Sequence, residues 1–563
     1  MGDAVRGWGV NWIAIDEWLF PPRRYPISSS PDLIIPRPPY LLIPLTPLRW
    51  SKTTKMIELI SRRFWQFFTP NGSRQGKRKP WRFYGAILFA VGLIVANLLN
   101  PQASVAATPR HYTDLEFPPL PELQLPDYTR FQLDNGLTVY LVEDRELPLI
   151  SGSALVRVGS RFEPGDKVGL ARLTGAVMRA GGTQKHPSDE LNRILEQKAA
   201  SVETSIGTTS GRVSFNALSE DLNEVLDLFV EVLREPAFAE DKLDVAKTQM
   251  RGNIARRNDD PGSIADREFQ KLIYGATSPY ARTTEYQTLN NISRDDLVAF
   301  YDRFFYPDRT ILGIVGDFDT NAVKDLISEK LGNWQPSSEL LPDLPEVSQA
   351  YPSGIFFVDR PQLTQSYVEL GHLGGLRDSP DYATLGVMNN VLSGFGGRLF
   401  NEVRSRQGLA YSVYAYWSAQ YDYPGMFVAG GQTRSEATVP FIESIRAEID
   451  RIRTEPISED DLKFAKDSTL NSFIFNFADP AQTLSRLVRY DYYGYPEDFI
   501  FKYQAGVEAT SIEDVQRVAK TYLDPDSIVT LVVGNSEAID PPLSNLSPDT
   551  EITSIDITIP EPS

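Results

Sequence analysis

Cysteine is missing from this sequence and histidine nearly so: its 563 residues contain no Cys and three His, at positions 111, 186 and 372. The first gap rules out disulfides, thiolate metal sites and cysteine nucleophiles. The second leaves few side chains for holding a transition metal or for acid–base work near neutral pH. None of the three shows ligand spacing to another histidine. His186 sits in the polar stretch TQKHPSDE, His111 precedes the first folded segment, and His372 closes the strand-like SYVELGH before a Gly-rich turn. Each reads as an ordinary polar histidine.

Positive charge is also thin beyond the N-terminus. Residues 1–107 hold 14 Lys/Arg against 5 Asp/Glu, while the whole chain carries −18, so the remainder carries −27. A body that acidic repels phosphate, which excludes nucleic acid as a partner. The one long apolar run, Phe83–Leu99, follows the basic RQGKRKPWR and precedes small residues at Ser104–Ala107. Those are the parts of a secretory signal, with cleavage after Ala106 or Ala107. The alternative is a retained anchor, the run being only slightly short of spanning length. Residues 1–55 are Pro-rich without apolar periodicity and precede Met56. They form either a disordered extension or lie before the true start. The expected layout is a doubtful extension at 1–55, a signal at 56–107, a short extension at 108–127, and an extracytoplasmic body, meeting membrane only through an uncleaved signal.

What is there in abundance is repetition. SRDDLVAFYDRFFYPDRTILGIVGDF from Ser293 returns as SIEDVQRVAKTYLDPDSIVTLVVGNS from Ser511. Asp296 pairs with Asp514, Pro307 with Pro525, and Gly316 with Gly534. Each copy reads as an amphipathic helix, a Pro-Asp turn and a β-branched strand, closing a domain of about 200 residues. The first copy opens with TRFQLDNGLTVYLVED, whose Asp134-Asn135-Gly136 is a strong hairpin signal. The spacing predicts domains at 128–333 and 355–537, a Pro-bearing linker at 334–354, and a disordered tail at 538–563. Strands mixed with long helices predict α+β domains. The expected architecture is two tandem homologous domains facing each other around a chamber, each an antiparallel-rich sheet packed with helices.

Residues 128–536 resemble the insulinase-like (pitrilysin) zinc peptidases. KVGLARLTGAVMRAGGT stands where that family has its inverted zinc motif, HxxEH, on a helix before Gly-Thr. LSEDLNEVLDLFVEVLREPAF, RRNDDPGSIADREFQKLIYG and QSYVELGHLGGLRDSPDYATLGVMNNVLSGFGGRLFNEVRSRQGLAYSV follow the family pattern. In the motif, two histidines at i and i+4 share a helical face, and a glutamate beside them deprotonates zinc-bound water. Here those positions fall on Arg172, Gly175 and Ala176, and the family's third ligand falls on Gly252 or Asn253. None binds a metal, so no cofactor is expected.

The resemblance also implies what survives. Arg404 and Tyr411 match an Arg and a Tyr that family members use to stabilise the oxyanion formed on the scissile carbonyl. A helix is expected through about Arg406, stopping at Gly408, with a strand from Leu409. From spacing alone the two side chains read as a helix-capping Arg and a half-buried strand Tyr. Gly394, Gly396 and Gly397, in SGFGGR, either let a peptide backbone approach or form a tight strand-to-helix turn. Ser201–Ile206 reads as an edge strand, either ordinary or used for β-addition of substrate.

By that resemblance the expected role is a zinc-free subunit of a heterodimeric peptidase. It would bind unfolded peptide and supply Arg404 and Tyr411 in trans to a zinc-bearing partner chain. The alternative is a non-catalytic peptide-binding or scaffold protein of the same fold. An autonomous peptidase of other chemistry lacks Cys, and lacks a His near a plausible Ser nucleophile.

Overall fold

A computed structural model describes residues 125–394, 396–477, 479–547 and 551–561; the signal, the Met56 start and His111 lie outside them. The described residues belong to one compact unit, Leu120–Ser563. Among them no helix is long and apolar enough to cross a membrane. In the first half the chain runs β1 (Thr129–Gln132), β2 (Thr138–Glu143), β3 (Leu149–Val156), α1 (Leu170–Ala180), α2 (Ser188–Gln197), β4 (Ser201–Ile206) and β5 (Gly211–Leu218). It continues through α3 (Leu222–Arg234), α4 (Glu240–Ala255), α5 (Pro261–Tyr274), α6 (Tyr286–Asn290), α7 (Arg294–Phe304), β6 (Thr310–Gly316) and α8 (Thr320–Leu331). The Asp-Asn-Gly hairpin forms, with Gly136 at φ +91°. Asn135 anchors it by donating to the carbonyls of Leu331 and Trp334 at 2.8 and 2.9 Å.

The second half follows a stretch, 332–353, without helix or strand. It contains β7 (Gly354–Asp359), β8 (Gln365–Leu373), α9 (Tyr382–Leu392), a π-helix (Phe400–Arg406), β9 (Ala410–Ser418) and β10 (Met426–Arg434). Then come α10 (Thr438–Thr454), α11 (Glu459–Ile474), α12 (Pro480–Tyr493), α13 (Phe499–Ala509), α14 (Ile512–Tyr522), β11 (Val529–Gly534) and β12 (Ile552–Ser554). The repeat is exact in its caps: Ser293 with Asp296, and Ser511 with Asp514, form the same reciprocal capping box at the starts of α7 and α14. Two six-stranded mixed sheets result, ordered β1-β2-β6-β3-β5-β4 and β12-β7-β11-β8-β10-β9. The α+β class is as read.

The tail corrects the reading. Its residues Ile552–Ser554 form β12 at the outer edge of the second sheet, parallel to β7, where no order was expected. That is the place β1 holds in the first sheet, where a hairpin supplies the strand. The Pro-bearing segment before β7 supplies none, so the alternating isoleucines 555 and 557 of the tail find apolar surface to bury.

The halves interlock by exchanging a helix. In the first sheet, β2 sends Val139 and Leu141 to its own half's helices, and Tyr140 and Val142 to the opposite face. That face is covered by α12 from the second half, through Leu484, Leu487, Val488 and Tyr492. Reciprocally, Ile264, Phe269, Leu272 and Ile273 of α5 cover Val358, Val428, Leu531 and Val533 of the second sheet. Both central strands, β6 and β11, are therefore buried on both faces, which explains their unbroken apolar sequences. Polar ties cross with the helices: Tyr492 donates to the Thr209 carbonyl at 2.7 Å, and Arg130 meets Asp491 at 2.9 Å.

One crossing is acidic. Glu369 on β8 is 3 % exposed beneath α5. Burial, then a hydrogen bond with Asp266 and that residue's charge, push its carboxyl well above the usual carboxylate range, against the opposing pull of Tyr414. Folded protein thus keeps a proton on Glu369 that the unfolded chain has lost above about pH 4.5. Stability is present in full below that pH and falls as pH rises through the folded value. Glu369→Gln removes this slope, contributing about 1.4 kcal/mol per unit of raised pKa at alkaline pH. Thermal unfolding of variant and parent across pH 4–9 checks it: the variant's advantage should grow with pH, and a constant difference refutes the shared proton.

Candidate functional site

Helix α1 carries the positions of the lost motif. Its start is fixed by Glu163, whose buried carboxylate accepts the N–H groups of Gly169 (3.1 Å) and Ala171 (2.9 Å). Arg172 and Ala176, one turn apart, lie exposed on one face, while Gly175 is buried. A Cβ on Gly175 would meet the Ile206 nitrogen at 2.5 Å and the Ser205 carbonyl carbon at 2.9 Å. The helix has closed onto β4, and two bonds hold it there. Thr204 Oγ1 donates to the Gly175 carbonyl at 2.5 Å, and Arg179 Nε donates to the Val202 carbonyl at 2.8 Å. Asn253 is exposed near the end of α4, and Gly252 beside it presents no side chain.

The family's zinc does not fit this donor set. A guanidinium, a methyl group, an amide and a glycine whose side-chain space is filled by strand backbone offer no carboxylate or imidazole. No group of three potential ligands occurs among the described residues. Strand β4 is the edge strand expected at Ser201–Ile206, but one of its carbonyls, Val202, is already taken by Arg179.

Arg404 and Tyr411 are brought together. The π-helix Phe400–Arg406 carries Arg404, and β9, from Ala410, carries Tyr411 on the edge strand matching β4. The wider turn is seen in the Gln407 N–H donating to the Glu402 carbonyl at 3.0 Å, five residues back. The guanidinium lies 4.8 Å from the Phe400 ring centre and 5.3 Å from that of Tyr411. Tyr411 is 70 % exposed. Stacking over two rings fixes the Arg by about 0.5–1 kcal/mol per contact. It leaves its N–H groups, like the Tyr411 hydroxyl, without a hydrogen-bond acceptor among the described residues. Arg404 caps no carbonyl among the described residues, and Arg434 donates to the Gly408 carbonyl, two residues past the helix, at 3.4 Å. Phe400 escaped the sequence reading, although its place four residues before Arg404 was a signal for a shared face.

Gly394, Gly396 and Gly397 join two helical segments, α9 and the π-helix, rather than a strand to a helix. Gly394 and Gly396 hold φ of +97° and +107°, and a Cβ on Gly397 would meet the Ser393 carbonyl oxygen at 2.5 Å. The turn itself demands glycine at these places; Gly394 alone faces open space. The two described histidines have structural partners. His186 Nδ1 contacts Glu231 at 2.7 Å. His372 is buried, which pushes its pKa down, and its Nε2 accepts the Asp524 N–H at 3.3 Å.

Two sheets with exchanged helices, a filled motif position on the first and an open Arg–Tyr pair on the second define a peptidase-like fold with no cluster of metal ligands among the described residues. Residues 148–279 match the model "Insulinase (Peptidase family M16)" and residues 291–469 match "Peptidase M16 inactive domain", together more than half of the chain. The chain belongs to the M16, insulinase, family. It is 23 % identical over 401 residues to "Non-peptidase homolog YmxG" of Helicobacter pylori, covering 70 % of this chain and 91 % of that one. It is 24 % identical over 362 residues to "Uncharacterized zinc protease YmxG" of Bacillus subtilis, covering 63 % and 86 %. Among solved structures, the peptidase M16 inactive domain from Pseudomonas fluorescens matches with a TM-score of 0.66 at 25 % identity, over 74 % of this chain and 100 % of that chain. The periplasmic protease PqqL from Escherichia coli shares the fold with a TM-score of 0.64 at 16 % identity, over 80 % and 50 %.

Proposed function

We propose that this chain is a zinc-free, non-autonomous subunit of a heterodimeric M16-type peptidase. It binds unfolded peptide and presents Arg404 and Tyr411 to the reacting carbonyl held by a zinc-bearing partner chain. The observation that carries this reading is the pair itself, stacked into position yet with donors unspent on the described protein. Donors fixed before reaction cost no reorganisation when negative charge develops on the carbonyl oxygen. A pure scaffold has no use for that arrangement. We place the body outside the cytoplasm, on the basic-apolar-small pattern of residues 74–107 and on the likeness to a periplasmic protease.

The test mixes each variant with a zinc-bearing M16 chain and follows complex formation and steady-state kinetics. Tyr411→Phe should leave the complex intact and lower kcat by about a hundredfold, with KM little changed. Arg404→Ala should lower it further, because charge goes with the hydrogen bonds. Unchanged turnover in both variants would favour the second reading, a peptide-binding or structural protein, which the name "Non-peptidase homolog" of one relative supports.

A further inference from the structure

The outer edge of the second sheet carries an inference of its own. In the first sheet this edge is closed by β1, covalently continuous with β2 through a tight hairpin. In the second it would be open, because the segment entering β7 bears Pro342, Pro345 and Pro352 and forms no strand. An open edge offers a row of unpaired N–H and C=O groups. Here residues arriving from beyond β11 fill it. Ile552, Thr553 and Ser554 stand opposite Ile355, Phe356 and Phe357, in parallel register. The Ile555 N–H then donates to the Phe357 carbonyl at 2.8 Å.

The segment does more than finish the sheet. Ile555 and Ile557 pack into the apolar cluster between the second sheet and α5, a helix of the first half. The Ile557 carbonyl accepts from Asn258 Nδ2 at 2.6 Å, and Ile559 packs against the first half's core. The contacts combine backbone pairing with branched apolar side chains, the mode by which sheet edges take extended peptides.

We propose that the β7 edge, continued across α5, is a strand-binding groove. Its ligand is this chain's own C-terminal segment, held as a separable latch across both halves. The ligand class is an extended peptide running parallel to β7, with isoleucine at the positions of 552, 555, 557 and 559. Three paired residues are a short strand, so the segment opens without unfolding the body.

The test uses the full chain with a protease site introduced between Ser547 and Glu551, so that the tail is cut from folded protein. A fluorescent peptide of sequence Glu551–Pro560 is then offered. Cut protein should take it up, raising its anisotropy, and uncut protein should take up roughly tenfold less at equal concentration. A peptide with Asp in place of Ile552, Ile555 and Ile557 should not bind. Hydrogen exchange at the β7 amides should quicken about tenfold in uncut Ile555→Asp/Ile557→Asp protein while α1 and β5 stay protected. Equal uptake by cut and uncut chains, no uptake by the cut chain, or equal binding of the Asp peptide would each overturn the proposal. So would unfolding of the whole body on cleavage, which would make the tail an integral core strand.

Discussion

Gly175→Glu is expected to destabilise the folded chain by roughly 4 kcal/mol or more, although glutamate is what a working zinc motif carries there. Two costs add. The first is steric, because the atoms facing Gly175 are strand backbone, Ile206 N and Ser205 C, which cannot swing aside as a side-chain tip would. The second is electrostatic, because the position is buried and the cation one turn on, Arg179, already donates to the Val202 carbonyl and to Asn192. Gly175→Ala separates the two, and the methyl group alone should cost about 1–3 kcal/mol. Denaturant unfolding of both variants measures this; an unchanged midpoint for alanine would mean that α1 and β4 are not closed together. For the same reason the triple change Arg172→His/Gly175→Glu/Ala176→His should not recover stoichiometric zinc, as elemental analysis would show. The motif lacks its ligands, and at the position of its glutamate, Gly175, the helix packs directly against the strand.

Much of this fold could be read from the chain, but the reason it closes could not. The repeated helix, Pro-Asp turn and strand that start at Ser293 and Ser511, the Asp-Asn-Gly hairpin and the β4 segment are local signals, each set by residues within a few positions of one another, and the structure has each in place. Gly175 carries no such signal. A glycine inside a helix announces a close approach without naming what approaches, and here the answer lies about 30 residues away in β4. The exchanged helices fail for the same reason: the apolar face of α5 says that it buries, not that it buries on the other half's sheet. The tail was misread because one strand's worth of alternating isoleucine finds its partner in β7, far back in the chain.

The site divides likewise. Arg404 and Tyr411 were legible through family resemblance, and spacing alone pointed to a helix cap and a half-buried tyrosine. Among the described residues Arg404 finds no carbonyl to cap, and Tyr411 lies exposed under its guanidinium. The π-helix that aims Arg404 has no reliable sequence signature, since it differs from an α-helix by one extra residue per turn. The placement of the donors therefore depends on a rigid second half, which in turn depends on what clamps it to the first.

That clamp should be most sensitive at Asp422, in the loop between β9 and β10. Asp422→Ala is expected to cost on the order of 3–5 kcal/mol, the loss typical of a buried charge left without its partner. The partner is Arg161 of the first half, 8 % exposed, whose guanidinium donates to Asp422 Oδ2 at 2.7 Å. Burial alone would lower the Arg161 pKa, yet the Asp422 charge and hydrogen bond raise it overall, so the cation depends on that carboxylate. The pair sits beside the stacked rings of Tyr280 and Tyr423, 4.2 Å apart, which join the same two halves. Removing only the carboxylate strands a cation among aromatic rings. Removing both charges does not, so Arg161→Met/Asp422→Ala should recover more than half of the loss, and Asp422→Asn should fall between. Chemical denaturation of the three variants decides the matter. If the double variant is as unstable as Asp422→Ala, the loop's packing rather than the ion pair holds the halves together.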